Sequence, residues 1–377
     1  MVNTHKYRKN ISRIKKNTKK NILTNTKLNH KIHHLIDEVT LGKQLGKGMM
    51  GTVFLAHDKK GNKYAYKIER ILPEAVKKTF KSSYWRENDF AQTLANKHPE
   101  HFMVLYDSKI DSDCKHHQDF SGFNFKMEDL SKSLQNYYTK LKKSPYCSVK
   151  LWSIIDDTVE KLFIPKLMIS KKVLCNLFIQ IIYIVFLINN SGYVHNDFHI
   201  GNIGYVKTDK KTVNILGNNI QTHGYLIKAI DYGLVLHDKY TLSKGERINY
   251  DNAYDLLTVV NMFSIEIKNE KIAGKEWDWG NEWSKPIKIS KKEKEELEKY
   301  LPEGKKLNKD NYDFIIDKLY KLIEWKKWQQ HILGDNTIQG VEPSYLIPLN
   351  DMLFLIKNLY NPKKILEYLI SRAQSRI

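Results

Sequence analysis

Val39–Gln44 and Thr52–His57 have strand character and Lys63–Glu69 reads as an alternating strand, so the pattern predicts three strands. Asp58-Lys59-Lys60-Gly61 supplies a hairpin turn between the last two. Ser83–Asn96 carries its apolar residues at helical spacing, and Gly122–Lys126 reads as a further strand that leads into a helix near Met127-Glu128-Asp129-Leu130. Leu177–Ile188 is the most apolar run. It is shorter than the roughly 18–20 residues of a membrane span and contains Gln180, so it predicts a buried central helix. Toward the C-terminus the pattern is helical throughout. Ser290–Lys299 is charged and solvent-facing, Tyr312–Gln329 and Leu349–Leu359 are amphipathic, and Asn361-Pro362 caps a last basic helix over Lys363–Arg376.

Composition changes this picture in three ways. A chain of 377 residues with 41% apolar content can fill two lobes, since single cores rarely grow past about 250–300 residues. The net charge of +20 favours anionic partners. Three cysteines, an odd number with no Cys-x-x-Cys, predict an intracellular, reducing compartment, and Cys114 with His116 and His117 reads as a polar loop and not a metal site. Residues 1–36 hold no acidic side chain and many lysines, which predicts a disordered basic arm. That arm is either a solvated tail or a contact for nucleic acid, acidic lipid or acidic protein; no nucleic-acid-binding motif accompanies it. No secretory signal and no transmembrane segment are expected. Tyr137–Lys172, studded with Lys140, Lys142, Lys143, Lys150, Lys161 and Lys166 around Trp152, predicts a helical elaboration, with a docking insert as the other reading. Trp277, Trp279 and Trp283 are expected to anchor a loop on the core.

Candidate chemistry is concentrated in a few segments. Gly192–Ile203 contains His195-Asn196-Asp197 and then Asn202, and Ile230-Asp231-Tyr232-Gly233 follows. A carboxylate and an amide spaced Asp-x-x-x-x-Asn can share one tight loop, Asp197 facing a hydroxyl and Asn202 a metal, while Asp231 adds a hard oxygen of the kind Mg²⁺ prefers. Leu45-Gly46-Lys47-Gly48-Met49-Met50-Gly51-Thr52-Val53 spells G-x-G-x-x-G between two strands. A dinucleotide loop of that spelling would be followed by a helix, and Thr-Val-Phe-Leu-Ala is a strand pattern. Tyr64-Ala65-Tyr66-Lys67 ends the next strand with a lysine, and the following helix offers Glu87, or Asp89, as its partner.

These ordered motifs resemble the protein kinase superfamily over about residues 37–270, in a divergent form with haspin-like, vaccinia-related and casein-kinase-1-like features. The resemblance implies an α+β, bilobal fold, with an N-lobe of antiparallel sheet plus one helix over 37–129 and a mainly helical C-lobe over 130–377. It implies ATP and Mg²⁺ as cofactors. Leu45 to Val53 and Ala65 would cover the nucleotide, Met127 and Glu128 would form the hinge beside adenine, and Lys67 would pair with phosphate and Glu87. Asp197 would act as base or aligner, His199 would approach the γ-phosphate, and Asn202 and Asp231 would bind the metal. Asp255, or Asp251, would brace the catalytic loop.

The departures from the family pattern also carry expectations. His-Asn-Asp lacks the usual arginine, so activity is expected not to wait for phosphorylation. Gly204 stands where an apolar floor is usual, which predicts a roomier or differently shaped pocket. The short stretch between Gly233 and Asp255 has no Ala-Pro-Glu, and His199 resembles small-molecule kinases. The expected function is serine/threonine phosphorylation of a protein substrate, with a choline- or aminoglycoside-type kinase second and an inactive scaffold third. The Lys-, Asn- and Ile-rich composition and divergent motifs resemble kinases of large DNA viruses, which would place the protein in host cytoplasm or virion.

Overall fold

The computed structural model describes residues 34–47, 51–112, 114, 132–163, 171–240, 242, 254–256, 258–259, 288–299, 316–317, 320, 354–355, 357–358 and 360–374. The expectations for residues 1–33, Gly48 to Met50, Gly122–Lys126, Met127, Glu128, His116, His117, Lys166, Asp251 and the three tryptophans lie outside them, as does most of Tyr312–Gln329 and Leu349–Leu359.

The fold is α+β. In chain order the first unit comprises β1 (Thr40–Lys47), β2 (Gly51–His57), β3 (Lys63–Arg70), α1 (Ser83–Thr93), β4 (Leu105–Asp111), α2 (Lys132–Lys143) and β5 (Cys147–Trp152). Its strands form an antiparallel sheet in the order β1-β2-β3-β5-β4. The β2–β3 turn is tight because Asp58 Oδ1 accepts from the amides of Lys60 (2.8 Å) and Asn62 (2.9 Å), while Gly61 takes a φ of 83° that a side chain would resist.

Period-two alternation divides the sheet into two faces. Tyr64, Tyr66, Ile68, Val149 and Leu151 pack with Ile36 on one of them. Residues 34–36, expected to end a disordered arm, are therefore ordered. The Ile36 amide donates to Asp107 Oδ2 at 3.1 Å and His34 Nδ1 meets Oδ1 at 3.0 Å. Ala65, Lys67, Glu69, Lys150 and Trp152 belong to the other face, which α1 covers.

Two expectations are corrected here. The sheet continues past residue 129, because its strand between β3 and β4 is Cys147–Trp152, which the sequence pattern assigned to a helical elaboration. Cys114 and Cys147 are joined by a disulfide, 33 residues apart with Cα atoms 5.6 Å apart. That bond removes the argument that unpaired thiols gave for a reducing compartment.

The rest of the chain builds β6 (Asp157–Thr158), α3 (Val159–Phe163), α4 (Lys171–Asn190), β7 (Tyr193–Val194), β8 (Ile203–Lys207), β9 (Thr212–Ile215), β10 (Asn218–Gln221), β11 (Tyr225–Ala229), β12 (Leu236–His237), α5 (Lys291–Glu298) and α6 (Pro362–Gln374). β11, β8 and β6 form a second antiparallel sheet, β9 and β10 a hairpin, and β12 pairs with β7. Leu177, Ile179, Ile181, Ile182, Ile184, Val185 and Ile188 make α4 the centre of the core, all fully buried. Each such side chain contributes about 1.5–3 kcal/mol. Gln180 is buried among them without penalty, because its Oε1 accepts from the Ile227 amide (3.0 Å) and its Nε2 donates to Tyr225 O (3.3 Å). α6 packs on α4, and Asn361 Oδ1 caps it by accepting from the Lys364 amide at 3.1 Å. No helix among the described residues is long and apolar enough to cross a membrane.

The two sheets are stitched together beside β4. The Ala229 amide donates to His101 O at 2.9 Å, and the Met103 amide donates to Ala229 O at 3.2 Å. The chain crosses from the first sheet to the second at Ser153–Asp156, where the Ser153 amide donates to Val104 O (2.8 Å) and the Asp156 amide to Tyr205 O (2.9 Å).

Candidate active site

The interior of the site is ionic. Lys67 and Glu69 share one face of β3, Lys150 lies opposite Lys67 in the β3–β5 register, and Glu87 descends from α1. Lys67 Nζ lies 2.9 Å from Asp231 Oδ1, 2.9 Å from Glu69 Oε1 and 3.8 Å from Glu87 Oε1. Lys150 Nζ, fully buried, binds Glu69 Oε2 at 2.8 Å and Glu87 Oε2 at 2.6 Å. Asp89, the rival for Glu87's role, points elsewhere: two residues along a helix is a turn of about 200°, and its carboxylate meets Tyr193, Lys239 and Tyr240.

The loop after β7 is fixed from beneath. Asp255 is fully buried and accepts from the backbone amides of His195 (2.6 Å) and Asn196 (2.9 Å), the bracing role expected for it. Asn196 adopts a φ of 64° and Asp231 a φ of 55°. Left-handed backbone costs about 1–3 kcal/mol at most residues and least at Asn and Asp. Asparagine suits this position of the loop for that reason. His195 Nε2 meets Ile230 O at 3.1 Å, and burial pushes its pKa down to about 4, so the ring is a neutral strut.

Asp197 opens to solvent on this frame, with 41% of its side chain exposed. Asn202 Nδ2 donates to Asp197 O (2.9 Å) and Oδ2 (2.8 Å), and the Ile230 amide donates to Asn202 O at 3.0 Å, tying the loop to the strand end that carries Asp231. His199 Nδ1 accepts from the Gly201 amide at 3.1 Å, so a neutral ring carries its proton on Nε2, 3.8 Å from Asp197 Oδ1. Tyr232 turns inward. Its hydroxyl donates to Ala229 O at 2.7 Å and accepts from the Met103 amide at 2.8 Å, while its ring packs on Phe90 at 4.6 Å. Gly233 admits Glu87, since a Cβ there would stand 3.1 Å from Glu87 Oε1 and 3.4 Å from Asp231 Oδ1.

Electrostatics grade from inside to outside. Burial works against a charged Lys67, but Asp231, Glu69 and Glu87 outweigh it and hold its pKa well above the usual lysine value. Lys67 in turn holds the half-exposed Asp231 carboxyl down at about 2. Burial raises Asp197, with Asp231 adding to the effect and His199 and Asn202 opposing it.

The described residues of the glycine-rich segment lie on β1 and β2, and β2 pairs with β3, the strand that carries Lys67. Leu45 is exposed, Gly46 pairs with Val53 and Lys47 with Thr52 in the β1–β2 ladder. A Cβ on Gly46 would meet nothing within 4 Å, whereas one on Gly51 would fall 2.3 Å from Ile68 O. Gly51 is thus required by strand packing, and Gly46 is not. Val53, Ala65, Ile155 and Ile230 join one apolar cluster. The roomier pocket expected from Gly204 is corrected: a Cβ there would lie 2.7 Å from Ile155 Cδ1 and 3.2 Å from Ile230 Cγ2, so those side chains already fill the space. Met127 and Glu128, expected to form the hinge, lie outside the described residues; the chain crosses between the two sheets at Ser153–Asp156.

Among the described residues no three His, Cys, Asp or Glu side chains gather as a ready-made metal centre. The donor set nonetheless suits a hard cation that brings oxygen ligands of its own: Asp231 is ionised, and Asn202, with Nδ2 engaged by Asp197, has Oδ1 left for a metal. The structure brings together Lys67, Glu87, Asp197, His199, Asn202 and Asp231. Sequence reasoning missed Glu69, Lys150, Ile155 and Ile230. The Lys-x-Glu and Ser-x-Lys spellings on the two strands were the available signal for the first pair. No family model matches the chain, and no curated protein matches it either.

Proposed function

We propose that the protein is an ATP-dependent serine/threonine protein kinase with a two-lobed fold, the five-stranded sheet and α1 forming the small lobe and the helices around α4 the large one. One observation carries this reading: Lys67 Nζ meets Asp231 Oδ1 at 2.9 Å across 164 residues of sequence, beside the loop on which Asn202 holds Asp197. Bound Mg²⁺ and ATP would bring the transferable phosphoryl group and positive charge against its oxygens; Asp231 and Asn202 Oδ1 would hold the metal. Lys67 orients phosphate. Asp197 aligns the acceptor hydroxyl and takes its proton, a task to which a raised pKa suits it. His199 Nε2–H donates toward phosphate at the open rim. Val53, Ala65, Ile155 and Ile230 offer an apolar bed for adenine, and Ser153–Asp156 takes the place of the hinge.

A protein acceptor is preferred because the glycine loop and the Tyr-Ala-Tyr-Lys strand are protein-kinase spellings. A small-molecule acceptor is the second reading, favoured by His199 and the short stretch after Gly233. Incubation with labelled ATP and Mg²⁺ tests both. Label on casein, basic protein or the chain itself supports the first, and label on choline or an aminoglycoside the second. Asp197→Ala should lower transfer at least about 100-fold while nucleotide still binds. A wild-type protein that neither binds nucleotide nor transfers label would end the proposal.

A further inference from the structure

Lys150 is the buried charge for which phosphoryl transfer provides no task. It stands directly across from Lys67 on the neighbouring strand, with its side chain wholly enclosed. Two ammonium groups side by side repel, and an enclosed one has no water to disperse its charge. Two carboxylates answer them. Glu69 offers Oε1 to Lys67 (2.9 Å) and Oε2 to Lys150 (2.8 Å). Glu87 does the same unequally, with Oε2 at 2.6 Å from Lys150 and Oε1 at 3.8 Å from Lys67. The short bond that fixes Glu87, and with it α1, therefore runs to Lys150.

Removing Lys150 would leave Lys67 alone among Glu69, Glu87 and Asp231. Two of those carboxylates lie inward of Lys67 and one outward, so the lysine would be drawn toward the interior. With Lys150 present, both oxygens of Glu69 and Oε2 of Glu87 are already engaged, and only Glu87 Oε1 lacks a hydrogen bond.

We propose that Lys150 is a positioning residue that neutralises Glu69 and anchors Glu87, so that Lys67 stays turned toward Asp231 and an incoming phosphate. The identity of that ligand rests on the kinase reading; the ion balance does not. Lys150 touches no reacting atom, and its influence passes through Lys67 and Glu87.

Removing the counter-ion pair together provides the test. Wild type, Lys150→Met and Lys150→Met/Glu69→Met are compared for affinity toward a fluorescent ADP with Mg²⁺ and for Tm, both from about pH 6 to about pH 9. Lys150→Met should weaken ADP binding at least about tenfold, and its Tm deficit against wild type should widen as pH rises. The sign follows from burial: a carboxylate without a cation is tolerated when protonated, so its folded pKa rises and stability is lost as pH climbs through it. The double variant should bind ADP more tightly than Lys150→Met but short of wild type, because Glu87 has lost its anchor, with a Tm deficit that no longer depends on pH. A residue that merely fills space predicts the reverse, a second core substitution deepening the loss and neither variant showing a pH slope. That result overturns the proposal. Should Lys150→Met fail to fold, a folded double variant supports the ion balance and an unfolded one refutes it. If wild type does not bind ADP, the kinase reading falls, and the Tm series still decides the balance either way.

Discussion

Tyr240 donates its hydroxyl to Asp89 Oδ2 at 2.7 Å, and through that bond the segment following Asp231-Tyr232-Gly233 is attached to the helix that carries Glu87. Tyr193 donates to the same oxygen at 2.7 Å and Lys239 Nζ reaches it at 2.6 Å, while Phe80 stacks on Tyr240 at 4.7 Å. The attachment consists of a carboxylate, two hydroxyls and an ammonium, and it calls for no phosphate. Phosphatase treatment is expected to leave turnover unchanged, and lost turnover would refute this. Tyr240→Phe should lower unfolding free energy by about 1–2 kcal/mol in urea titration.

Gly46 and Gly51 share a motif but not a reason. Gly51→Ala places a methyl 2.3 Å from the backbone oxygen of Ile68, which cannot move without opening the β2–β3 ladder. A loss of about 1–3 kcal/mol is expected. Gly46→Ala meets nothing and should melt like wild type while binding ATP more weakly. Equal Tm losses in the two variants would contradict this division.

Asp255 has its pKa pushed up to about 7 by burial, against the pull of the His195 and Asn196 amides. A carboxyl raised above its unfolded value of 3.8 contributes stability that is full below that value and lost as pH rises through about 7. Wild-type stability should therefore decline from about pH 4 to about pH 7 and level off above that. Asp255→Asn should remove that slope, at the cost of a looser loop at His195 to Asp197, and denaturant titration at each pH would show whether it does.

Asp231 is held at about 2 by Lys67 and stays ionised through mild acid. Magnesium-dependent nucleotide binding should persist at about pH 5 as far as this carboxylate is concerned. Asp231→Asn should abolish the magnesium dependence and also free Lys67 from its outward partner. Calorimetric titration of ADP with and without Mg²⁺ would reveal an unaltered metal effect if the assignment were mistaken.

The parts of the site legible in the sequence are those whose spacing is set by local backbone. Asp197, His199 and Asn202 sit on one loop, Asp231-Tyr232-Gly233 on one turn, and Lys67 ends an alternating strand. Glu87 was chosen over Asp89 by resemblance alone, because both faces of α1 are buried and only the fold decides which meets Lys67. Lys150 was hidden by its own chemistry: a lysine inside Cys-Ser-Val-Lys-Leu-Trp argues for solvent until two carboxylates from elsewhere, Glu69 and Glu87, are seen around it. The second sheet went unread, and with it the role of Ser153–Asp156 and the contact of Gly204 with Ile155. The Cys114–Cys147 bond joins residues whose proximity depends on the β4–β5 pairing, which no local pattern announces.

Ala229 is pinned by His101 and Met103 at the β4 border of the five-stranded sheet, and Asp231 stands two residues further on. A plate fastened along one margin swings widest at the other. Any rocking about that fastening would carry β1 and Gly46 through the longest arc and Lys67, on the middle strand, through about half of it. The Lys67–Asp231 ion pair would thus be stretched by such a swing, so the middle of the plate resists a motion that its free margin allows.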